Sequence, residues 1–276
     1  MTPPATTTKE GLNMTTDRRV AIITGSATGV GAAVARMLSA KAYNVLVNYS
    51  RSSDAAAGVV ADCLALGADA IAVKGDVSSD SDCRELVRQA LARWGRIDAL
   101  VSSAGTTQFI PMADMDAVTT ADLERVYAVN TIGPFQMARA VRKHMQSGSA
   151  IVNVSSTSSL TGSGSSFAYV LSKAALNILT VALARTLAPA IRVNAVLPGM
   201  IEGRWMRDGL GEKVYERVKG EFAAVAALGK ISTPEQIASA ICWLLEPDSV
   251  VTGQLISVDA GFTLGRPPSA AGATTK

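Results

Sequence analysis

Residues 20–31 read Val20-Ala21-Ile22-Ile23-Thr24-Gly25-Ser26-Ala27-Thr28-Gly29-Val30-Gly31 and run on into AAVARMLSAKA: an apolar burst, a glycine-studded turn, then a segment of helical period. A strand that enters a helix through such a turn can bring its backbone close to a pyrophosphate. Side chains are excluded there, and the N–H groups of the helix N-terminus face the anion. The spacing Gly-x-x-x-Gly-x-Gly therefore assigns Gly25, Ala27, Thr28, Gly29, Val30 and Gly31 to the phosphates of a dinucleotide. An ordinary βα turn is the alternative, because 23 glycines produce many spacings by chance, and the place at the first strand–helix junction favours the dinucleotide.

Outward from this turn, short apolar runs alternate with helical segments. VAIIT (20–24), NVLVNY (44–49), DAIAVKGD (69–76), IDALVSSAG (97–105), AIVNVSS (150–156), IRVNAVLPG (191–199) and GQLISVD (253–259) are the candidate strands. Their bodies are almost continuously apolar, as strands covered on both faces must be, and the segments between them are mostly long enough for crossover helices. The expectation is an α/β chain, a single-domain Rossmann fold over 18–264 with a doubly wound, seven-stranded parallel sheet. Ser81 or Asp80 opens a helix ending at Trp94-Gly95, and Thr233-Pro234-Glu235-Gln236 opens one ending near Leu245 with an N-cap, a first-turn Pro and a capping-box Gln. Residues 200–230 form a Gly-punctuated amphipathic insertion, and the Thr/Pro/Ala/Gly stretches at 1–17 and 265–276 are expected to be disordered tails.

Composition removes several classes of function. The 276 residues are 48% hydrophobic and 18% charged, and 26 basic against 23 acidic residues leave +3 without a like-charge run, so neither a nucleic acid nor a membrane surface is an expected partner. Three well-separated cysteines, Cys63, Cys83 and Cys242, argue against a disulfide framework and lack zinc-ligand spacing, so no metal is expected. The only histidine, His144, lies where the pattern MARAVRKHMQS is about to end, which suits a helix C-terminus better than a Ser/His/Asp triad. No apolar run reaches the ~18 residues of a membrane span, and 1–17 lack a signal peptide's apolar stretch; a cytoplasmic location is the expectation.

Chemistry enters at SSFAYVLSKAAL, where Tyr169 and Lys173 stand four apart on one helical face. A phenol of reference pKa ~10 beside an ammonium is favoured as phenolate, which moves it toward use as a general acid or base. The pair alone proves nothing, since Tyr215 and Lys219 repeat it. Thirteen residues before Tyr169, however, lies Ser156 at the end of a candidate strand, where parallel sheets place ligand-contacting groups, whereas thirteen before Tyr215 lies Glu202, outside any strand.

The glycine spacing, the Ser156–Tyr169–Lys173 spacing and Asn130 in ERVYAVNTIGPF together resemble the short-chain dehydrogenase/reductase family over residues ~18–262, and among its members the 3-oxoacyl-carrier-protein reductases. The resemblance implies a catalytic set of Asn130, Ser156, Tyr169 and Lys173. Tyr169 would give a proton to a carbonyl oxygen that Ser156 holds. Lys173 would bind the nicotinamide ribose and lower the pKa of Tyr169, and Asn130 would position a relay water. It also implies that Asp76 and Val77 meet the adenine, and that Pro198, Gly199 and Ile201 form the nicotinamide-side loop. Val258-Asp259-Ala260-Gly261 would be the closing strand. A homo-oligomer follows in the same way, a tetramer or else a dimer, paired through long helices at ~119–147 and ~166–188 and through the last helix and strand. Two positions depart from the pattern. Ser102-Ser103-Ala104-Gly105 stands where Asn-Asn-Ala-Gly is usual, leaving Ser103, Ala104 and Gly105 to contact the cofactor through a backbone turn, and Gly203 replaces a common Thr.

Cofactor choice is read at the end of the second strand, where an acid that accepts both ribose hydroxyls marks NAD. Here stand Asn48, Tyr49, Ser50 and Arg51, and the guanidinium and hydroxyls suit a 2′-phosphate, so NADP(H) is preferred and NAD(H) remains possible. The implied activity is reduction of a ketone or 3-oxoacyl group to an alcohol. An alcohol or sugar dehydrogenase running oxidatively and a non-catalytic nucleotide sensor are the alternatives. Phe109 in the 106–118 loop, with Trp205 and Met206 in the insertion, suggests an apolar substrate pocket.

Overall fold

The computed structural model describes residues 18–265. Seven strands form one sheet: β1 (Arg19–Thr24), β2 (Tyr43–Tyr49), β3 (Ala70–Lys74), β4 (Ile97–Ser102), β5 (Met145–Val154), β6 (Ile191–Pro198) and β7 (Leu255–Val258). Their order is β3-β2-β1-β4-β5-β6-β7, and every neighbouring pair is parallel. The strand order reverses between β1 and β4, whose carboxyl ends meet with Thr24 opposite Ser102. A crevice at that reversal is where open α/β sheets bind ligands.

The pleat sorts the apolar runs to two faces. Ala21, Ile23, Val45, Val47, Val101 and Val152 point into a core covered by α1 (Gly29–Ala40), α2 (Ser53–Ala65) and α10 (Pro234–Leu244). Ile22, Leu46, Leu100, Ile151 and Val193 point into a second core under α3 (Asp80–Trp94), α5 (Gly133–Val141) and α7 (Phe167–Leu187). Burial on both faces is what the unalternating strands required. Before α5 come α4 (Thr120–Tyr127) and a π-helical turn, Ala128–Ile132. The short α6 (Ser158–Thr161) precedes α7, and the insertion folds into α8 (Arg204–Leu210) and α9 (Glu212–Val225).

Several boundaries move. The N-cap of α3 is Ser79, one residue before Asp80, because its hydroxyl accepts the Asp82 N–H; Gly95 closes the helix at φ 71°. The Thr233 capping box and its first-turn Pro form as read, and α10 ends at Leu244. The helix expected over 119–147 is interrupted by the π turn and stops at Val141, and β5 begins at Met145 rather than 150. Met145 pairs with Ile97 ahead of a register shift, outside the apolar run that marks the strand's body. His144 lies just past α5, exposed. Gly265 aside, both expected tails lie outside the described residues.

Among the described residues one helix, α7, is long and apolar enough to cross a membrane by length and composition. It also buries Tyr169, Ser172, Lys173, Asn177 and Thr180 against the body of the fold, which is the position of a core helix.

Candidate active site

The glycine turn is built by close approach. A Cβ on Gly25 (φ +61°) would come within 2.6 Å of Ala104 Cα, and one on Gly31 within 2.7 Å of Gly25 O, so β1, β4 and α1 converge as only glycine allows. Gly29 (φ +56°) has open space where its Cβ would stand. Thr28, the N-cap of α1, makes no side-chain cap bond and is exposed, as is Gly29, so the first turn offers free backbone donors outward.

Asn48 is nearly fully buried, and its side chain staples the crevice: Oδ1 accepts the Gly25 N–H at 3.1 Å and Nδ2 donates to Gly75 O at 3.0 Å. Its amide is therefore spent inside the fold, unlike the open positions after it. Tyr49 is half-buried, Ser50 and Arg51 are exposed, and Arg51 forms no ion pair or hydrogen bond with any described residue. Asp76, exposed after β3, accepts from Ser78 N and Oγ through Oδ1, and Val77 beside it is buried.

The Ser102-Ser103 departure is absorbed by a residue the sequence reading did not single out. Thr24 Oγ1 accepts from Ser103 N at 3.1 Å and Ala104 N at 3.2 Å, and so holds the turn. Gly105 opens toward the catalytic group: a Cβ there would lie 3.6 Å from Asn130 Oδ1 and 3.8 Å from Lys173 Nζ. The missing side chain leaves room for a flat ring beside both. On the far side, Pro198 O accepts from Thr157 N, Gly199 packs on Asp259, and Ile201 bridges to Ser232. The carboxylate of Asp259 accepts from Gly261 N, Thr263 N and Thr263 Oγ1, which fixes the segment after β7.

All four candidate catalytic residues meet at these carboxyl ends and all are buried, Asn130 at 0%, Lys173 at 4%, Ser156 at 7% and Tyr169 at 8% exposure. The hydroxyl of Ser156 accepts the Ser158 N–H at 3.1 Å, and its nearness to Tyr169 acts against the effect of burial on the phenol. Lys173 Nζ donates to Val154 O at 2.8 Å and stands 5.7 Å from the Tyr169 ring centre. Asn130 Oδ1 accepts Thr106 N, while Nδ2 donates to Thr106 O and Ser172 Oγ, so its whole amide is committed. Ser155 ties α7 to β5 through Asn177 Oδ1 at 2.7 Å. Ser172, Ser155 and Asn177 were invisible to sequence reading, since a buried hydroxyl or amide carries no periodic signal.

Burial acts on both ionisable groups of the site. Burial pushes the Tyr169 phenol up to about 12, with the Ser156 hydrogen bond pulling weakly the other way, and burial drives Lys173 down to about 8. Desolvation penalises both charged forms. The phenol is thus raised and the amine lowered by the same burial.

A family model described as enoyl-(acyl carrier protein) reductase matches residues 25–263. A ketoacyl reductase of the granaticin polyketide synthase from Streptomyces violaceoruber is 37% identical over 247 residues, 89% of this chain and 96% of that protein. A solved short-chain dehydrogenase/reductase from Burkholderia xenovorans superposes at TM-score 0.82 with 40% identity, covering 90% of this chain and 99% of its own. A blue fluorescent protein from a metagenomic library, solved with NADPH, superposes at 0.80 with 32% identity, covering 88% and 97%.

Proposed function

Because the chain belongs to the short-chain dehydrogenase/reductase family and is an NAD(P)-dependent oxidoreductase, we propose that it uses NADPH to reduce a ketone, of the 3-oxoacyl kind or a relative of it, to a secondary alcohol. The observation that carries this reading is that Ser156, just past β5, and Tyr169, in the first turn of α7, are both buried and near enough for Ser156 to act on the phenol. Two hydroxyls side by side suit one carbonyl oxygen.

The crevice fits the cofactor at each part. Backbone donors from Gly25 to Gly31 suit the pyrophosphate, with Ala27, Thr28, Gly29 and Val30 at the mouth. Tyr49, Ser50 and Arg51 would meet the adenosine ribose, behind which Asn48 positions the turn. Asp76 and Val77 would flank the adenine. Ser103, Ala104, Gly105, Pro198, Gly199 and Ile201 would border the nicotinamide, whose ribose falls to Tyr169 and Lys173. The bound nicotinamide supplies the hydride.

Every other step falls to side chains. With Ser158 N donating to its oxygen, Ser156 would turn its own proton from Tyr169 to the substrate oxygen. Tyr169, protonated at neutral pH, donates the phenolic proton as charge develops on that oxygen. Lys173, with a pKa near 8, can refill the phenol. Asn130 contributes through its backbone: its amide is committed, and Pro134 has no N–H to donate to the carbonyl four residues before it. That carbonyl would receive the relay water.

The test is a nicotinamide-absorbance assay of purified enzyme against a 3-oxoacyl thioester, an enoyl thioester, simple ketones and secondary alcohols. Ketone consumption that disappears in Tyr169→Phe supports the reading. Turnover of the enoyl thioester alone, or of alcohols alone, overturns it.

A further inference from the structure

We infer that Trp205 is the wall on which the substrate's own ring lies, so that the site favours a flat aryl ketone over a linear acyl chain; this rests on the reductase reading above. Trp205 is the second residue of α8, two after Gly203, and its ring centre lies 5.9 Å from that of Tyr169 with the planes tilted by 55°. Tyr169 is almost fully covered, yet Trp205 remains 49% exposed. An indole one ring-width from the proton donor and half open to solvent is surface that only a further group can cover. Aromatic faces prefer offset or tilted partners at 4.5–7 Å, the separation a ring fused to the reacting carbonyl would take here.

Neighbouring contacts hold this wall in place and keep it apolar. Phe109 lies against the backbone of α8, where a Cβ on Gly209 would come within 2.0 Å of Phe109 Cε2, so the 106–118 loop and the insertion meet ring to glycine. That loop is tied to the start of α7 by Ile110 N donating to Ser165 O and by the Thr107–Ser165 hydroxyl pair at 2.6 Å. Arg204 pairs with Asp208, Arg207 with Glu212 and Glu216, and Lys219 with Glu202. These three cations, like Arg217 with Glu221, are paired with acids of the insertion itself, while Lys213 and Lys230 make no ion pair with a described residue; what the insertion sets beside Tyr169 is the indole.

The experiment compares α-tetralone with ethyl acetoacetate, both with NADPH. Wild-type enzyme is expected to show the higher kcat/KM for α-tetralone. Trp205→Ala should lower the ratio of the two kcat/KM values by about tenfold, mostly through KM for the aryl ketone, and Trp205→Phe should restore most of it. An equal fall for both substrates, no change in the ratio, or a wild-type preference for ethyl acetoacetate overturns the inference. A second measurement is independent of turnover: equilibrium binding of α-tetralol to Tyr169→Phe enzyme saturated with NADP. Loss of that binding on adding Trp205→Ala supports the wall, and unchanged binding overturns it. If wild-type enzyme reduces neither ketone, the reductase reading falls, while the α-tetralol measurement still decides the role of Trp205.

Discussion

Burial disfavours the charged form of each group, so Tyr169 keeps its proton while Lys173 gives its proton up more readily, and this sets the pH behaviour of the reaction. Tyr169, at about 12, stays protonated throughout the working range, whereas Lys173, at about 8, carries its proton below that value and loses it above. The rate of ketone reduction should therefore fall as pH rises through about 8, and Lys173→Arg, which keeps the charge, should move the inflection upward; a kcat–pH profile identical in the variant removes Lys173 from the relay. Tyr169→Phe should lower kcat by ~10²–10⁴ while leaving the NADPH dissociation constant, read by fluorescence titration, nearly unchanged. A wild-type kcat in that variant would end the assignment. At the adenosine end, the unpaired Arg51 predicts that Arg51→Ala raises KM for NADPH far more than for NADH. Equal or better kcat/KM with NADH in the wild-type enzyme would refute the cofactor preference without touching the chemistry. These residues were legible because each sits at a fixed offset from a strand end or a helical partner. Thr24, which holds the turn 79 residues away at Ser103, and Ser172, which meets Asn130 across 42 residues, were not, because only the folded chain brings them together.

The stretch read as one helix over 119–147 contains the least legible element. Its apolar pattern runs through Asn130, but Gly133 and Pro134 follow, and the chain makes a π turn over Ala128–Ile132 before resuming as α5. Extra turns of this kind commonly mark functional positions, and this one sets Asn130 against Thr106 and Ser172. Gly133 is what lets the turn sit down on Val77, since a Cβ there would lie 2.8 Å from Val77 Cγ2 and 3.1 Å from Val77 O. Gly133→Ala should cost about 1–3 kcal/mol of stability by overpacking, seen as a lower denaturant midpoint at unchanged slope. Gly29→Ala provides the contrast: its Cβ position is open, so the variant meets only the strain of φ +56°, about 1–2 kcal/mol, but it places a methyl where the pyrophosphate would lie. The expected outcome is a modest loss of stability with a large loss of NADPH affinity. An unfolding midpoint lower in Gly29→Ala than in Gly133→Ala would contradict the division between packing and binding. The strands fared better than this helix because burial on both faces writes itself into composition, as the runs 20–24 and 44–49 did.

At the scale of the molecule, the sheet leaves apolar side chains outside both cores, and they are not scattered evenly. Tyr127, Ile132 and Phe135 on the α4–π–α5 segment are each about two-fifths exposed, and on α7 Leu171 and Ile178 are more so, Ile178 at 71%. The two segments pack on one another, so these residues flank a shared edge of the protein. The apolarity that makes α7 long and greasy enough to pass a membrane test is thus divided between an inner face carrying Tyr169 and Lys173 and an outer face with no partner among the described residues. A second copy of the chain, meeting it about a two-fold axis, would cover that face with the same surface. The homo-oligomer proposed from the family resemblance, a tetramer in preference to a dimer, therefore has a specific test. Light scattering at micromolar concentration should give four times the 28.5 kDa chain mass, and the pair Leu171→Glu with Ile178→Glu, placing charge at the centre of the contact, should reduce it. A wild-type mass of one chain refutes the oligomer. A full-size assembly in the double variant would instead leave the interface to the last helix and strand, near which Trp243 and Val250 are exposed.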